Sequence, residues 1–167
     1  MDYRSFAPMA MPYRGTEQTI ANMRKLALAA QTRWPLRRIV ENVCRELRPK
    51  DYLSELVALH HFVCRRVRYQ RDPLTVELVK TPEATLSTGV GDCDDIATLL
   101  GALVLLSGSQ ARFVTVGFRP EGTFTHVFAE GHDPRTGRWA TLDPVAGPRA
   151  AQMLRRVQGS RIYLIDV

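Results

Sequence analysis

The chain has 167 residues, of which 45% are hydrophobic and 24% are charged. These values fit one soluble globular domain with a core of ordinary size, and they argue against a long disordered tract. The longest apolar run, residues 96–106, is too short to span a bilayer, which needs about 20 residues. The first residues lack a basic start followed by an apolar stretch, so no signal peptide is expected and the sequence predicts a cytoplasmic protein.

The chain is basic, with a formal net charge of +6, a pI of about 9.6 and 20 arginines among its 23 basic residues. Such an excess raises the question of an anionic partner such as nucleic acid. The basic residues form only short clusters, at 37–38, 65–68 and 155–156, and none is interleaved with aromatic side chains that could stack on bases. A solvated basic surface is the simpler interpretation, and neither nucleic acid nor a membrane is expected as a partner.

The N-terminal part predicts three amphipathic helices. Thr16 can cap the first, which carries Ile20, Met23 and Ala27 on one side. Pro35 suits the first turn of the second, whose apolar residues at helical spacing are Leu36, Ile39, Val40, Val43 and Leu47. Asp51 can cap the third, whose predicted apolar face comprises Leu53, Leu56, Val57, His60, Val63 and Val67.

Residues 69–91 contain two prolines and two glycines, which predict a long, partly irregular connection of the kind that often carries function. A fourth helix should begin near Asp92 or Cys93. Its residues 96–106 are apolar nearly all round, which is typical of a buried helix, and Gly108 provides a stop.

Beyond Gly108 the hydrophobic period changes to that of strands. Residues 111–118 are rich in β-forming side chains, residues 126–130 predict a second strand, and residues 132–137 form a turn. Residues 138–142 return as the partner strand of a hairpin, and residues 161–165 predict one more strand. Helices first and an antiparallel sheet afterwards indicate the α+β class.

Three cysteines are an odd number, so without a secretion signal a disulfide framework is not expected. Cys44 and Cys64 fall within the predicted amphipathic helices, where small core residues are expected. Cys93 differs because it follows two glycines and stands at the predicted start of the buried helix.

A cysteine at a helix N-terminus meets free N–H groups and a partial positive charge, which favour the thiolate. The same N–H groups can stabilise an oxyanion during acyl transfer. The alternative for Cys93 is a buried structural cysteine. Asp92, Asp94 and Asp95 would raise the pKa of an adjacent thiol, so we expect them to point away or a protonated histidine to outweigh them.

His126 is the candidate base, because it is a polar residue on an otherwise apolar predicted strand; a hydrogen-bonded core histidine is the alternative. Asp143 ends the partner strand, and a hairpin turning near Arg135 would bring it towards the level of His126. Aspartate before proline is also a common strand terminator. A carboxylate bonded to one ring nitrogen would leave the other facing a thiol, as in a Ser–His–Asp triad with sulfur as the nucleophile.

Three blocks of the sequence resemble the signature blocks of the transglutaminase-like superfamily, with cysteine, histidine and aspartate in the same order. They are residues 91–95 (GDCDD), 126–128 (HVF) and 139–144 (WATLDP). The resemblance implies an α+β, papain-like transglutaminase-core fold, in which a central buried helix packs on an antiparallel sheet. It implies a single domain over residues 1–167, with a helical N-terminal part (1–68), catalytic core motifs (81–145) and a C-terminal strand region (146–167).

The resemblance also implies a cysteine-dependent hydrolase, a peptidase or amidase with acyl transfer as the other outcome. Cys93, His126 and Asp143 would act on a protein or peptide substrate. No cofactor is expected other than calcium. Some small bacterial members bind calcium through acidic residues flanking the cysteine, as Asp92 and Asp94 do here, although helix capping explains both residues equally well.

Members of this superfamily often have an upstream side chain that completes the oxyanion hole. Tyr69 and Gln70 are candidates for it by residue type alone. The alternative function is a catalytically silent transglutaminase-like module that binds, or assembles with, a protein partner.

Overall fold

The computed structural model of the protein describes residues 12–71, 79–118, 124–147, 152–153 and 155–166. Within these residues a helical N-terminal half precedes a sheet, which confirms the predicted α+β order. The helices are α1 (Pro12–Ala30), α2 (Trp34–Cys44), α3 (Tyr52–Arg66), α4 (Pro82–Thr88) and α5 (Cys93–Leu106). The strands are β1 (Arg68–Tyr69), β2 (Val90–Gly91), β3 (Ala111–Gly117), β4 (His126–Asp133), β5 (Arg138–Leu142) and β6 (Gly159–Leu164). None of the described helices is long and apolar enough to cross a membrane.

The first helix starts earlier than predicted. It begins at Pro12, about one turn before Thr16, so the prediction that Thr16 caps this helix is wrong. Proline suits the first turn of a helix because its φ is already helical and its missing N–H would have no partner there. The predicted apolar side is confirmed, since Ile20, Met23 and Ala27 are all buried.

The second and third helices form where predicted, but their buried faces differ in part. Pro35 lies in the first turn of α2, and α2 ends at Cys44, so Leu47 lies outside the helix. Asp51 caps α3 as predicted, accepting a hydrogen bond from the Ser54 N–H at 3.4 Å. Leu53 and Val57 were predicted on the apolar face of α3, and this is wrong because they are 51% and 42% exposed. The buried stripe of α3 consists of Leu56, Leu59 and Val63.

The connection before the central helix contains a helix and a short strand, where the sequence predicted a partly irregular segment. α4 is capped by Thr81, whose hydroxyl accepts from the Ala84 N–H at 3.2 Å, and Pro82 occupies its first turn. Gly89 ends α4 with a φ of 66°, a conformation that favours glycine. β2 then pairs in parallel with β1, so the two ends of this connection lie side by side.

α5 is the centre of the fold. It contacts α1, α2, α3 and α4 on its flanks and strands β3 and β4 of the sheet. Its residues from Asp95 to Val104 are buried, as the apolar pattern predicted. Gly101 permits close packing on the sheet, because a Cβ there would lie 2.8 Å from Ile165 and 3.0 Å from Phe113. The helix ends at Leu106, and Gly108 follows it with a φ of 88°, as expected for a helix stop.

The main sheet is antiparallel, with the strand order β5-β4-β3-β6. In this register Val116 lies opposite His126 and Ala129 lies opposite Leu142. The predicted strand at 126–130 continues to Asp133, so the turn starts later than predicted. Asp133 is the last residue of β4, and its side chain stabilises the turn that follows. Its carboxylate accepts from the Arg135 N–H and the Thr136 hydroxyl.

Candidate active site

A buried histidine–aspartate pair lies at one end of the β4–β5 hairpin. His126 is the first residue of β4, and Asp143 directly follows the last residue of β5. Their side chains are 9% and 2% exposed, and His126 Nε2 lies 2.8 Å from Asp143 Oδ2. A carboxylate accepting from Nε2–H leaves Nδ1 as the ring nitrogen that can take a proton.

The Asp143 carboxylate is held by more than the histidine. Its other oxygen, Oδ1, accepts from the backbone N–H groups of Val145 and Ala146 at 3.0 and 3.1 Å. Both oxygens of the Asp143 carboxylate are therefore held by hydrogen bonds, which fixes the direction from which it meets Nε2 of His126. Burial lowers the pKa of His60 on α3, and Asp143, which lies near the His60 ring, opposes that shift in part.

Cys93 is the first residue of α5 and is partly buried. The backbone N–H of Val127 is near enough to its sulfur to oppose part of the rise in the pKa of the thiol. Because Val127 directly follows His126, this proximity places the thiol near the start of β4. The structure thus gathers Cys93, His126 and Asp143, which are far apart in the chain, at the N-terminus of the central helix.

The electrostatic surroundings of Cys93 differ from the prediction. Asp94 does not point away, because its Oδ1 lies 3.6 Å from the Cys93 sulfur and accepts the thiol hydrogen. Burial raises the pKa of Cys93 most, the carboxylates of Asp94 and Asp92 raise it further, and the Val127 N–H opposes them only in part. The thiol is therefore protonated at neutral pH, whereas the helix N-terminus alone predicted a thiolate.

The side chains of Asp92 and Asp95 cap the first turn of α5. Asp92 Oδ1 accepts from the N–H groups of Asp94 and Asp95, each at 3.1 Å, and Asp95 Oδ2 accepts from the Asp92 N–H at 3.3 Å. This reciprocal arrangement is a capping box. Among the described residues, the Cys93 N–H is left without a hydrogen-bond partner. It therefore points out of the helix start as a donor for a ligand oxygen.

Asp95 anchors the helix start to the preceding connection. Its carboxylate is completely buried, accepts from the Lys80 N–H at 2.7 Å and pairs with the Lys80 ammonium group. Gly91 passes so close that a Cβ there would lie 2.7 Å from the Asp95 Cβ. The glycine before the cysteine is thus required by a close approach to the side chain of Asp95.

The two predicted oxyanion candidates, Tyr69 in β1 and Gln70 directly after it, lie next to the segment that leads to Cys93. The Gln70 N–H donates to the Gly91 carbonyl at 2.8 Å, two residues before Cys93. Burial raises the pKa of Tyr69, and Cys93, Asp92 and Asp94 are near enough to raise it further. Tyr69 therefore carries a protonated phenol at neutral pH, and its ring is half exposed. A role in catalysis for either residue stays a prediction.

The sequence of residues 39–144 matches the family model of the transglutaminase-like superfamily, which is well over half of the chain. The chain belongs to the transglutaminase-like superfamily. Membership places it in a family of cysteine-type enzymes. No curated protein matches the chain in sequence.

Two solved structures share the fold of this transglutaminase-like domain. One is described as a "putative protease" from Parabacteroides distasonis, with a TM-score of 0.62 and 10% identity over 88% of this chain and 29% of that chain. The other is described as a "putative cysteine protease" from Cytophaga hutchinsonii, with a TM-score of 0.54 and 18% identity over 77% of this chain and 46% of that chain. The domain spans less than half of either chain, and at these identities the likeness shows the fold alone.

The acidic residues beside Cys93 in the transglutaminase-like domain are engaged in the first turn of the helix. Asp92 caps α5, and Asp94 contacts the thiol. In the part of the chain that the structure describes, no group of three or more His, Cys, Asp or Glu side chains is arranged to hold a metal ion. The calcium role of Asp92 and Asp94 stays a prediction.

The other two cysteines lie outside the site, and one prediction about them is wrong. Cys64 was expected to be a core residue, but it is exposed, with its sulfur 3.7 Å from Nε2 of His60. Val63 takes the buried position on α3, and the next residue is turned by about 100° around the helix axis. Cys44 is partly buried at the end of α2.

The position of His60 near Asp143 is a feature that the sequence analysis missed. The sequence placed His60 on the apolar face of the third helix, where it is partly buried, and the adjacent His61 is exposed. The available signal was the position of His60, one residue after the buried Leu59. Only the packing of α3 against β5 brings it to Asp143.

Proposed function

We propose that the domain is a cysteine hydrolase of amide bonds, a peptidase or amidase. Cys93 is the nucleophile, His126 the base and Asp143 the residue that orients the imidazole. One observation carries this proposal: the buried 2.8 Å bond between His126 and Asp143 lies beside the Val127 N–H, which is near the Cys93 sulfur. A carboxylate-held histidine next to a thiol is the arrangement that nucleophilic acyl transfer requires.

The first step is proton transfer coupled to attack. Because Nε2 of His126 is bonded to Asp143, Nδ1 takes the proton of the Cys93 thiol as the sulfur bonds to the substrate carbonyl carbon. The raised pKa of Cys93 makes His126 a general base during attack, rather than the partner of a thiolate formed beforehand. Asp143 stabilises the imidazolium that results.

The tetrahedral intermediate needs hydrogen-bond donors for its oxyanion. The Cys93 N–H at the start of α5 is the first donor, because the neighbouring Asp94 and Asp95 N–H groups are taken by Asp92. The protonated phenol of Tyr69 is the candidate for the second.

Collapse of the intermediate breaks the C–N bond, and the imidazolium gives its proton to the leaving amine. A thioester on Cys93 remains. Water, deprotonated by His126, then attacks the thioester and releases a carboxylic acid and the thiol. An amine in place of water would give acyl transfer.

An activated ester tests this chemistry without knowledge of the natural substrate. We expect the domain to hydrolyse p-nitrophenyl acetate, with nitrophenolate release followed by absorbance and an acetyl group found on Cys93 by mass spectrometry. Cys93→Ala should abolish turnover, and His126→Ala should slow it by about 10²–10⁴-fold. Cys64→Ala and Cys44→Ala are the matched controls and should retain full turnover.

The alternative is a catalytically silent transglutaminase-like module, and one observation favours it. Burial and two carboxylates keep the thiol of Cys93 protonated, which an enzyme must overcome during each attack. The same assay separates the two functions. If Cys44 and Cys64 are acetylated as readily as Cys93, and if the reaction does not depend on His126, the domain is not an enzyme of this kind. A binding role is then the function that remains.

A further inference from the structure

Lys80 precedes Asp95 by 15 residues in the chain, yet both its main chain and its side chain contact the Asp95 carboxylate. We propose that Lys80 and Asp95 are positioning residues for the Cys93 nucleophile. Neither needs to touch the substrate, because together they hold the turn that directs the sulfur and the N–H of Cys93. This inference rests on the proposed function, since positioning affects a reaction only if Cys93 attacks a substrate.

The Asp95 carboxylate joins two segments of the chain. Its Oδ1 accepts from the Lys80 N–H at 2.7 Å, and its Oδ2 pairs with the Lys80 ammonium group. The same Oδ2 accepts at 3.3 Å from the N–H of Asp92, the residue directly before Cys93. One oxygen therefore connects the lysine to the backbone of the turn that carries the nucleophile.

Asp92 extends this restraint to both sides of Cys93. While its own N–H is held by Asp95, its Oδ1 accepts from the N–H groups of Asp94 and Asp95, each at 3.1 Å. Cys93 lies between Asp92 and Asp94, so these bonds restrain the peptide groups on both sides of it. The direction of the Cys93 N–H, the first oxyanion donor of the proposed mechanism, depends on that restraint.

The burial of Asp95 makes the ammonium group necessary. The Asp95 side chain is 0% exposed, and that of Lys80 is 29% exposed. A Cβ at Gly91 would lie only 3.1 Å from Asp95 Oδ2 and 3.3 Å from Thr85, so the carboxylate is closely enclosed. An ionised carboxylate without water or a cation is costly. Loss of the ammonium group would move the carboxylate towards solvent or protonate it, and either change would disturb its bond with the Asp92 N–H.

The expected consequence is a slower reaction without a change in the titration of the thiol. Attack requires aligned atoms about 3–3.5 Å apart, and a misplacement of about 1 Å can cost about 10²-fold in rate. Burial and the carboxylates of Asp94 and Asp92 raise the pKa of Cys93. The charge of Lys80 is balanced by Asp95, so its removal should act on the position of the sulfur and not on its protonation.

Two variants separate positioning from stability. Lys80→Met leaves a buried charge, whereas Lys80→Met/Asp95→Asn removes that charge and should recover part of the lost stability. An asparagine has a single acceptor oxygen, so it cannot reproduce the bonds of the carboxylate to residue 80 and to the Asp92 N–H together. At a temperature where circular dichroism shows both variants folded, we expect kcat for p-nitrophenyl acetate to fall about 10–100-fold in each, with KM changed less than about threefold.

Alkylation by iodoacetamide gives a second measurement that needs no turnover. Cys93 should react more slowly in both variants, because His126 is no longer aligned with the thiol, and its rate profile should keep its position on the pH axis. Cys64 is exposed and provides an internal standard in the same molecule, with an unchanged rate. Partial unfolding would have the opposite effect on Cys93, because it would expose the buried sulfur and speed its alkylation.

The matched controls keep the cation or remove a different one. Lys80→Arg retains a positive charge and should stay within about threefold of the wild-type kcat. Arg112→Met removes the cation of another partly buried ion pair, whose side chains are 20% and 12% exposed. Arg112 lies opposite Glu130, four residues along β4 from His126 and thus about 13 Å away. This variant should lose stability and retain turnover.

Three results would overturn the positioning proposal and leave the enzyme proposal standing. They are wild-type kcat in folded Lys80→Met, full recovery of kcat in the double variant, and an equal loss of kcat in Arg112→Met. If the wild-type protein does not turn over the ester, the proposed function fails instead. The alkylation rates of Cys93 then decide by themselves whether Lys80 and Asp95 position the thiol, and unchanged rates in both variants would show that they do not.

Discussion

The Asp94 carboxylate accepts a hydrogen bond from the thiol of the preceding residue, with 3.6 Å between its Oδ1 and the Cys93 sulfur. The two side chains share the first turn of α5, where the helix dipole by itself would favour a thiolate. Burial, and after it this carboxylate, makes the greatest contribution to raising the pKa of Cys93. At the helix start, the dipole therefore favours the Cys93 thiolate and the Asp94 carboxylate favours the neutral thiol. A single isosteric substitution removes the charge of this carboxylate.

Asp94→Asn should make Cys93 more reactive. The negative carboxylate favours the neutral thiol, so its loss lowers the pKa of Cys93 and increases the thiolate fraction at any pH below that pKa. A fall of one pKa unit gives about a tenfold faster reaction with iodoacetamide at neutral pH. The rate of Cys93 alkylation against pH, followed by mass spectrometry, should keep the same form and move to lower pH.

Glu41→Gln on α2 removes the same charge far from the thiol and should leave the alkylation profile unchanged. If Asp94→Asn and Glu41→Gln give the same profile, the carboxylate beside Cys93 does not control its protonation. The raised pKa would then have to come from burial and from Asp92.

Asp143→Asn should separate the chemical role of Asp143 from its structural role. The asparagine oxygen can still accept from the Val145 and Ala146 N–H groups, but its NH₂ group would face Nε2 of His126. That contact favours the tautomer with hydrogen on Nδ1, which cannot take the thiol proton. We expect esterase turnover to fall by about 10²–10⁴-fold while the thermal midpoint changes little.

Asp143→Ala is the contrasting variant, because it removes the acceptor for two backbone N–H groups beside a buried position. Leaving them unsatisfied should lower the free energy of unfolding by about 1–3 kcal/mol. Equal loss of stability in the Asn and Ala variants would make Asp143 a purely structural residue.

Lys80→Met should destabilise the fold through Asp95. The Asp95 side chain is 0% exposed and the Lys80 side chain is 29% exposed, so the substitution leaves a buried carboxylate without its cation. Removing one partner of a buried pair typically costs about 3–5 kcal/mol, and the lower end applies here because Lys80 is partly exposed and its N–H still donates to Asp95. Urea denaturation measures the loss. Adding Asp95→Asn to Lys80→Met should recover part of it, and no recovery would mean that the ammonium group was not needed to balance the charge.

Gly91→Ala should lower stability where another glycine substitution does not. Its Cβ would lie 2.7 Å from the Asp95 Cβ and 3.3 Å from Thr85, so the start of α5 must shift. We expect a loss of about 1–3 kcal/mol in the free energy of unfolding and slower alkylation of Cys93. Gly159→Ala is the control, because a Cβ at Gly159 meets nothing within 4 Å and should change stability by less than about 0.5 kcal/mol. Equal losses in both variants would contradict the steric explanation.

The sequence predicted best those features that depend on neighbouring residues. The start of α5 at Cys93 follows from the cap of Asp92 and the glycines before it, and the end of α5 follows from Gly108. The β4–β5 hairpin follows from strand periodicity on both sides of an Asp-Pro turn. The start of α4 at Thr81–Pro82 belongs to the same local class, and it was missed although its capping signal is present.

The wrong predictions concern which side of an element meets the core. Leu53 and Val57 have the spacing of an apolar face, yet α3 is rotated so that Leu56 and Leu59 are buried instead. Cys64 is exposed for the same reason. Helical spacing allows more than one stripe, and the choice between them depends on the helices and strands that pack alongside.

By itself, the sequence determined the α+β order of elements and the placement of a cysteine at the mouth of a buried helix, because capping, turns and periodicity act over a few residues. Only the tertiary structure decided that Asp94 faces the thiol, that His60 comes near Asp143 and that Tyr69 lies opposite Gly91. These relationships depend on side-chain direction and on contacts between distant segments. Both arise only when the chain packs, and no local pattern specifies them.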